Sequence, residues 1–162
     1  MKILIVYYSL DGNTHYLAEN LADCINADLL RLVPVKDIKN NKTKYFFGGK
    51  QAGFRNKPKL EPLTFNPEEY DVMIIGTPVW ASTMTPAVRS FLSNSTFTGK
   101  KIGLFCCCRG NQGKAITHMK ELLEGNEILG TINFKEPIKG EKSKKDAVCK
   151  WAQGLIETAQ TL

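Results

Sequence analysis

Apolar positions follow two rhythms along this chain. Five short, nearly unbroken runs are rich in β-branched and aromatic residues: Lys2–Tyr8 (KILIVYY), Asp28–Val33 (DLLRLV), Tyr70–Ile75 (YDVMII), Lys101–Cys107 (KIGLFCC) and Ile128–Phe134. Unbroken rather than alternating hydrophobicity predicts strands covered on both faces, as in a parallel sheet. Between the runs, apolar residues recur at helical spacing. Thr14–Ala27 carries Leu17, Ala18, Leu21, Ala22 and Ile25, and Lys114–Glu124 carries Ile116, Met119, Leu122 and Leu123 before Gly125. Thr85-Pro86 reads as an N-cap with proline at the first helical position, opening a helix to about Ser93 that buries Val88, Phe91 and Leu92. Ser143 is expected to cap a last helix whose stripe is Val148, Trp151, Ala152, Leu155 and Ala159.

The alternation of these elements predicts an α/β fold: a single open, doubly wound domain over residues 1–162 with a five-stranded parallel sheet. Val35–Pro67 departs from the pattern. It is polar, basic and broken by Gly48-Gly49, Gly53, Pro58 and Pro62. A crossover helix is expected inside it, because parallel neighbours need a long connection.

Charge and cysteine content narrow the function classes. The net charge of +6 is uneven: the window Lys36–Lys59 holds eight basic residues and one acidic one, Asp37. Either this is solvated surface or it faces an acidic partner or phosphorylated ligand. No nucleic-acid-binding motif accompanies the charge, so no nucleic-acid partner is expected. No apolar run approaches the roughly 18 residues of a membrane span, and no export signal is read. The expectation is a cytoplasmic protein without membrane association. The cysteines are Cys24, Cys106, Cys107, Cys108 and Cys149. An odd number with no export signal argues against a disulfide framework, and the absence of a CxxC pair argues against structural zinc, so no metal site is expected. On a strand, Cys106 and Cys108 would point one way and Cys107 the other. None starts the C-x5-R pattern of a small tyrosine phosphatase, and Tyr7, Tyr8 and Ser9 do not supply the acidic cluster of a receiver domain. His15 and His118 read as surface histidines with no matching carboxylate or cysteine pattern.

In open α/β sheets ligands bind at the carboxyl ends of the strands. Three loops leave those ends with suggestive chemistry. Ser9-Leu10-Asp11-Gly12-Asn13-Thr14 joins a buried strand directly to a helix, and a helix N-terminus ringed by hydroxyl donors is an anion site. It lacks the GK[ST] of a Walker loop and the GxGxxG of a dinucleotide fold. A monophosphate held by neutral donors fits it; an ordinary cap turn is the alternative. Gly76 to Thr85 sets Trp80 among small polar residues, either as core-edge packing or as a platform for a planar ligand. Cys108-Arg109-Gly110-Asn111-Gln112-Gly113 can lay backbone amides against a heterocycle edge.

Ser9–Thr14 resembles the flavodoxin phosphate loop, [ST]-x-[TSD]-G-[NK]-T. The stretch GTPVWASTMTPAVRSFL, Gly76 to Leu92, is similar to a flavodoxin-like subfamily with the pattern G-T-P-x-W and P-x-V-x-x-F-L. The resemblance covers essentially the whole chain and implies strand order 2-1-3-4-5 and non-covalent FMN. It also implies residue roles. Ser9, Asp11, Gly12, Asn13 and Thr14 would hold the phosphate with the Leu10 amide. Thr77, Pro78, Val79 and Trp80 would line the ring and ribityl chain. Cys107, Cys108, Arg109 and Gly110 would meet the pyrimidine edge. No catalytic side chain is singled out, since FMN carries the redox chemistry.

Three departures separate the chain from the acidic electron carriers of that family: its positive charge, the lack of an aromatic in the third loop, and Ala81 where carriers often have glycine. The expectation is electron transfer or a small FMN-dependent reductase, quinone- or NAD(P)H-linked. Its partner would be a redox protein or a small-molecule electron acceptor, and its state a monomer or homodimer. A binding or scaffold module without turnover is the alternative.

Overall fold

The structure is a computed structural model that describes residues 1–36, 56–137 and 141–161, with backbone alone for 141–144. The strands are β1 (Ile3–Tyr7), β2 (Asp28–Arg31), β3 (Val72–Trp80), β4 (Thr83–Met84), β5 (Lys101–Cys108) and β6 (Glu127–Lys135). The helices are α1 (Asn13–Ile25), α2 (Pro86–Asn94), α3 (Ala115–Glu121) and α4 (Glu141–Thr161). The sheet order is β2-β1-β3-β5-β6, with β4 pairing β3. All neighbours on that path are parallel, and β4 pairs β3 antiparallel. Setting aside the short β4, this is the expected 2-1-3-4-5 order.

The unbroken apolar runs are explained by two cores, one on each face of the sheet. Leu4, Val6 and Tyr8 of the first run face a cluster with Met73, Ile75, Leu104 and the α2 and α3 residues Val88, Phe91, Leu92 and Met119. Ile5 and Tyr7, one position out of phase, face the α1 and α4 residues Leu17, Leu21, Val148, Ala152 and Leu155 together with Ile74 and Phe105. Each large apolar side chain withdrawn from water contributes roughly 1.5–3 kcal/mol. A polar residue at any central β1 position would therefore lose that term, since Leu4, Ile5 and Val6 are fully buried.

Several boundaries differ from the sequence reading, each for a tertiary reason. β3 was expected to end at Ile75 but runs to Trp80. Gly76, Thr77 and Pro78 pair with Phe105, Cys106 and Cys107 of β5, and Val79 and Trp80 pair with β4. Pro78, lacking an N–H, falls among residues where the sheet is ending. Thr85 holds the N-cap position of α2 but makes no side-chain cap bond. Its backbone N–H donates to Thr77 Oγ1 at 3.0 Å, and the two hydroxyls lie 3.2 Å apart. α4 begins at Glu141, so Ser143 lies within its first turn instead of preceding it. The crossover helix expected within Val35–Pro67 falls largely outside the described residues. The two described ends of that segment lie side by side: Val35 N–H donates to Lys59 O and Glu61 N–H to Val33 O. The Tyr70 hydroxyl donates to Asp28 Oδ2 at 2.7 Å, tying the approach to β3 onto β2. Burial and that bond raise the Tyr70 phenol to about 12.

Cys24 and Cys149 correct the expectation from the cysteine count. α1 and α4 pack on the same face and bring the two together as a disulfide, with Cα atoms 5.5 Å apart. Cys106, Cys107 and Cys108 are buried and free.

Candidate flavin site

A cavity of about 600 Å³ opens at the carboxyl ends of β1, β3 and β5. Its floor is the turn from β1 into α1. Gly12 takes φ +91, which only glycine adopts cheaply, and its carbonyl accepts the first helical bond from Tyr16. The Gly12 N–H donates to Ser9 Oγ at 3.2 Å, and from β2 the Arg31 Nη2 donates to Ser9 O at 2.9 Å. The loop is therefore held in shape from both sides. The first turn of α1 has no acidic residue, so the amide end of the helix faces the cavity with Asp11 of the preceding loop as its nearest carboxylate in sequence. Thr14 is buried, and its Oγ1 makes no hydrogen bond of good geometry; its polar neighbour is the Cys107 thiol, a weak partner that leaves most of the hydroxyl's bonding capacity open. A poorly bonded buried hydroxyl costs about 1–3 kcal/mol unless something bonds it. An anion seated on the loop would do so.

The second wall is the β3–β4 hairpin. Trp80 is half-buried, with its ring edge-on to Tyr8: centroids 5.5 Å apart, planes at 90°. Ala81 and Ser82 form the two-residue turn at φ +46 and +60. Positive φ at both positions matches the strand twist of a tight hairpin, but costs non-glycine residues roughly 1–2 kcal/mol each. Neighbouring bonds offset this. Ser82 O accepts from Lys114 N–H at 2.7 Å. Thr83 Oγ1 accepts from Arg89 Nη2 at 3.2 Å and shares a 2.7 Å bond with His118 Nδ1.

The third wall is the loop after β5. Cys106 and Cys108 point the same way, and both thiols donate to Asn133 Oδ1, at 3.4 and 3.3 Å. Cys107 points oppositely into the α1 face. Burial pushes the Cys106 and Cys107 thiols up to about 12, so neither is a ready nucleophile at neutral pH. Glu136 N–H donates to Cys108 O at 3.0 Å, which draws the end of β6 into the wall.

The cavity gathers nearly all of the residues singled out from sequence: Ser9, Leu10, Asp11, Asn13, Thr14, Pro78, Val79, Trp80, Cys107, Cys108, Arg109 and Gly110. Gly12 and Thr77 stand behind it. Gly12 shapes the turn, and Thr77, fully buried, bonds Thr85 and the Pro78 carbonyl. Ser82, Asn111, Glu136 and Pro137 also line it and were not singled out. Ser82 and Asn111 lie in loops already suspected. Glu136 and Pro137 would have emerged from applying the strand-end rule to β6 as well.

The histidines are not plain surface residues. His15 Nδ1 shares a 2.6 Å bond with the Tyr7 hydroxyl, and its Nε2 lies 3.4 Å from Glu19, a carboxylate one turn along. Burial raises the Tyr7 phenol above its ordinary value, against the pull of Arg31. Among the described residues there is no group of three or more potential metal ligands, and no helix is long and apolar enough to cross a membrane.

A family profile described as Flavodoxin matches residues 2–155. The chain belongs to the flavodoxin family. Solved structures agree on the fold of this flavodoxin. A Bacteroides uniformis protein described as a putative flavoprotein superposes with TM-score 0.80 at 18% identity, covering 94% of this chain and 97% of its own. A Lactobacillus acidophilus flavoprotein in complex with FMN gives TM-score 0.70 at 23% identity, covering 85% and 96%. A Streptococcus pneumoniae flavodoxin gives 0.64 at 16%, covering 97% and 99%. A search of curated proteins finds no match.

FMN is the cofactor that this family membership brings, and the residues present fit it. The amide end of α1 and the Thr14 hydroxyl suit a phosphate, Trp80 suits a flat ring, and the Gly110-Asn111 backbone suits a polar heterocycle edge.

Proposed function

We propose that this flavodoxin is a small FMN-dependent reductase that passes two electrons from NAD(P)H to a quinone-class acceptor. The observation that carries the reading is the one-sided aromatic lining of the cavity. Trp80 is the single aromatic among its described lining residues, and the remainder of the rim is Ser82, Arg109, Gly110, Asn111, Glu136 and Pro137. A carrier benefits from an enclosed flavin. A flank lined by small and polar groups supports access by a planar acceptor instead.

When bound, FMN supplies the redox chemistry. The chain supplies the rest. Ser9, Thr14 and the α1 amide end hold the phosphate. Trp80 fixes the ring plane. Arg109 and the loop amides bind the heterocycle edge and set the charge around it. The overall reaction balances as NAD(P)H, one proton and a quinone giving NAD(P)+ and the hydroquinone. The site of action would be cytoplasmic.

The test is steady-state oxidation of NADPH and NADH by the FMN-loaded protein, with and without a benzoquinone. Acceptor-dependent turnover is expected. FMN binding without turnover, alongside rapid electron exchange with a redox protein, would return the chain to the carriers. Failure to take up FMN at all would leave the binding or scaffold reading.

A further inference from the structure

We propose that Cys24 and Cys149 form a reversible, redox-responsive cross-link that fastens the C-terminal helix α4 to α1. The two stand 125 residues apart in sequence, yet their Cα atoms are 5.5 Å apart, inside the range a disulfide spans. Their setting differs from that of the other three cysteines. Cys106, Cys107 and Cys108 are buried on β5, Cys107 and Cys108 at the wall of the cavity. Cys24 and Cys149 are only half-buried.

The packing explains that exposure. α1 turns Leu17, Ala18, Leu21 and Ala22 inward, and α4 turns Val148, Ala152 and Leu155 into the same core. Cys24 follows Leu21 by one helical turn, and Cys149 sits beside Val148. Both lie at the rim of the helix–helix contact, where one flank is packed and the other is open to a small oxidant.

The flavin cannot serve as that oxidant directly. Cys24 lies ten residues beyond Thr14 on one helix, roughly 15 Å along its axis from the phosphate loop. The co-reactant is a low-molecular-weight disulfide of the glutathione class. One cysteine thiolate attacks a sulfur of that disulfide and expels one small thiol, leaving a mixed disulfide. The second cysteine thiolate attacks the protein sulfur of that intermediate and expels the other. Two cysteine thiols are oxidised, one small disulfide is reduced to two thiols, and the process reverses in excess small thiol.

The bond restrains the last helix of the chain. Leu155 of α4 seats where β5 and β6 have glycine: a Cβ on Gly103 would come 2.5 Å from its Cδ1, and one on Gly130 2.9 Å from its Cδ2. Reduced, α4 rests on its core packing and on the bond from Lys101 Nζ to Ala159 O, and opens more readily. Oxidised, the Cys149 turn of α4 stays tied to the Cys24 turn of α1, and the unfolded chain carries a very long closed loop.

The experiment equilibrates the full-length, FMN-loaded protein in oxidised or reduced glutathione. Native alkylation with peptide mass mapping and thermal denaturation are the readouts. The expected result is a Cys24–Cys149 linked peptide in oxidised glutathione that disappears in reduced glutathione without denaturant. Its loss should lower the melting temperature by on the order of 10 °C. The Cys24→Ser/Cys149→Ser variant should melt like the reduced form in both buffers. No linked peptide, a link that resists native reduction, or equal melting temperatures would overturn the proposal. The alkylation readout uses the unmutated chain, so a variant that fails to fold does not spoil the test. FMN titration at 25 °C should be the same in both states, and a chain that cross-links but takes up no FMN would refute the flavin reading alone.

Discussion

Gly113 leaves no room for a side chain because Ser82 occupies the space. A Cβ on Gly113 would lie 2.5 Å from the Ser82 carbonyl oxygen and 2.6 Å from its Cα, and Gly113 itself takes φ +52. With the Lys114 N–H bonded to that same carbonyl, the third loop clamps the strained Ala81-Ser82 turn.

Gly113→Ala should therefore damage the site from outside the cavity. The left-handed φ costs alanine roughly 1–2 kcal/mol, and overpacking against backbone roughly 1–3 kcal/mol more. The expected outcome is a lower melting temperature together with weaker FMN binding, because the turn that carries Trp80 must shift. Unchanged FMN affinity in a folded variant would mean that the clamp does not position the second wall.

Thr14→Val should weaken FMN binding without lowering apoprotein stability. In the apoprotein it removes a buried hydroxyl whose polar neighbour is the weakly bonding Cys107 thiol, so melting should change little. FMN titration should weaken about ten- to a hundredfold, the worth of one hydrogen bond to a charged acceptor of roughly 1.5–3 kcal/mol. Ser9→Ala should weaken both, since Ser9 Oγ also holds the Gly12 N–H. Equal FMN affinity in all three proteins would reduce the loop to a helix cap.

Trp80 should report FMN binding by its fluorescence. A flavin against the indole would quench it, leaving the signal of Trp151, which packs on the opposite face of the sheet. Tyr8→Phe keeps the edge-on ring and should keep the quenching, whereas Tyr8→Ala lets the indole swing and should reduce it. Trp80→Phe should abolish the FMN-dependent change; its persistence would assign the quenching elsewhere.

Alkaline pH should destabilise the fold through the buried thiols. Cys106 and Cys107 are raised from 9.0 to about 12, so the folded state retains protons that the unfolded chain has already released. Their contribution is fully present below pH 9 and is lost progressively between about 9 and 12. The slope is about 1.4 kcal/mol per pH unit for each thiol. Urea denaturation between pH 8 and 10 should show it, below the range where the raised Tyr70 phenol adds its own alkaline loss, and Cys106→Ala/Cys107→Ala should flatten the dependence there. An equally steep profile in that double variant would place the titration elsewhere.

The sequence by itself determined the α/β class, the five parallel strands, and the three loops, Ser9–Thr14, the Trp80 loop and the glycine-rich third loop, that meet at the cavity. These are written locally. Burial on two faces leaves an unbroken apolar run, burial on one face leaves a helical stripe, and a strand that turns straight into a helix exposes amide donors. Tertiary structure alone decided the continuation of β3 through Thr77 to Trp80, which rests on pairing with β5 and β4. It also decided the entry of Glu136 and Pro137 into the cavity, through the Glu136 bond to Cys108. The fastening of Ser82 by Gly113 and Lys114 and the meeting of Cys24 with Cys149 belong to the same class. Each joins residues distant in sequence through geometry that exists only once the sheet is assembled and the helices are packed. No local rhythm of polar and apolar residues records which loops end up in contact.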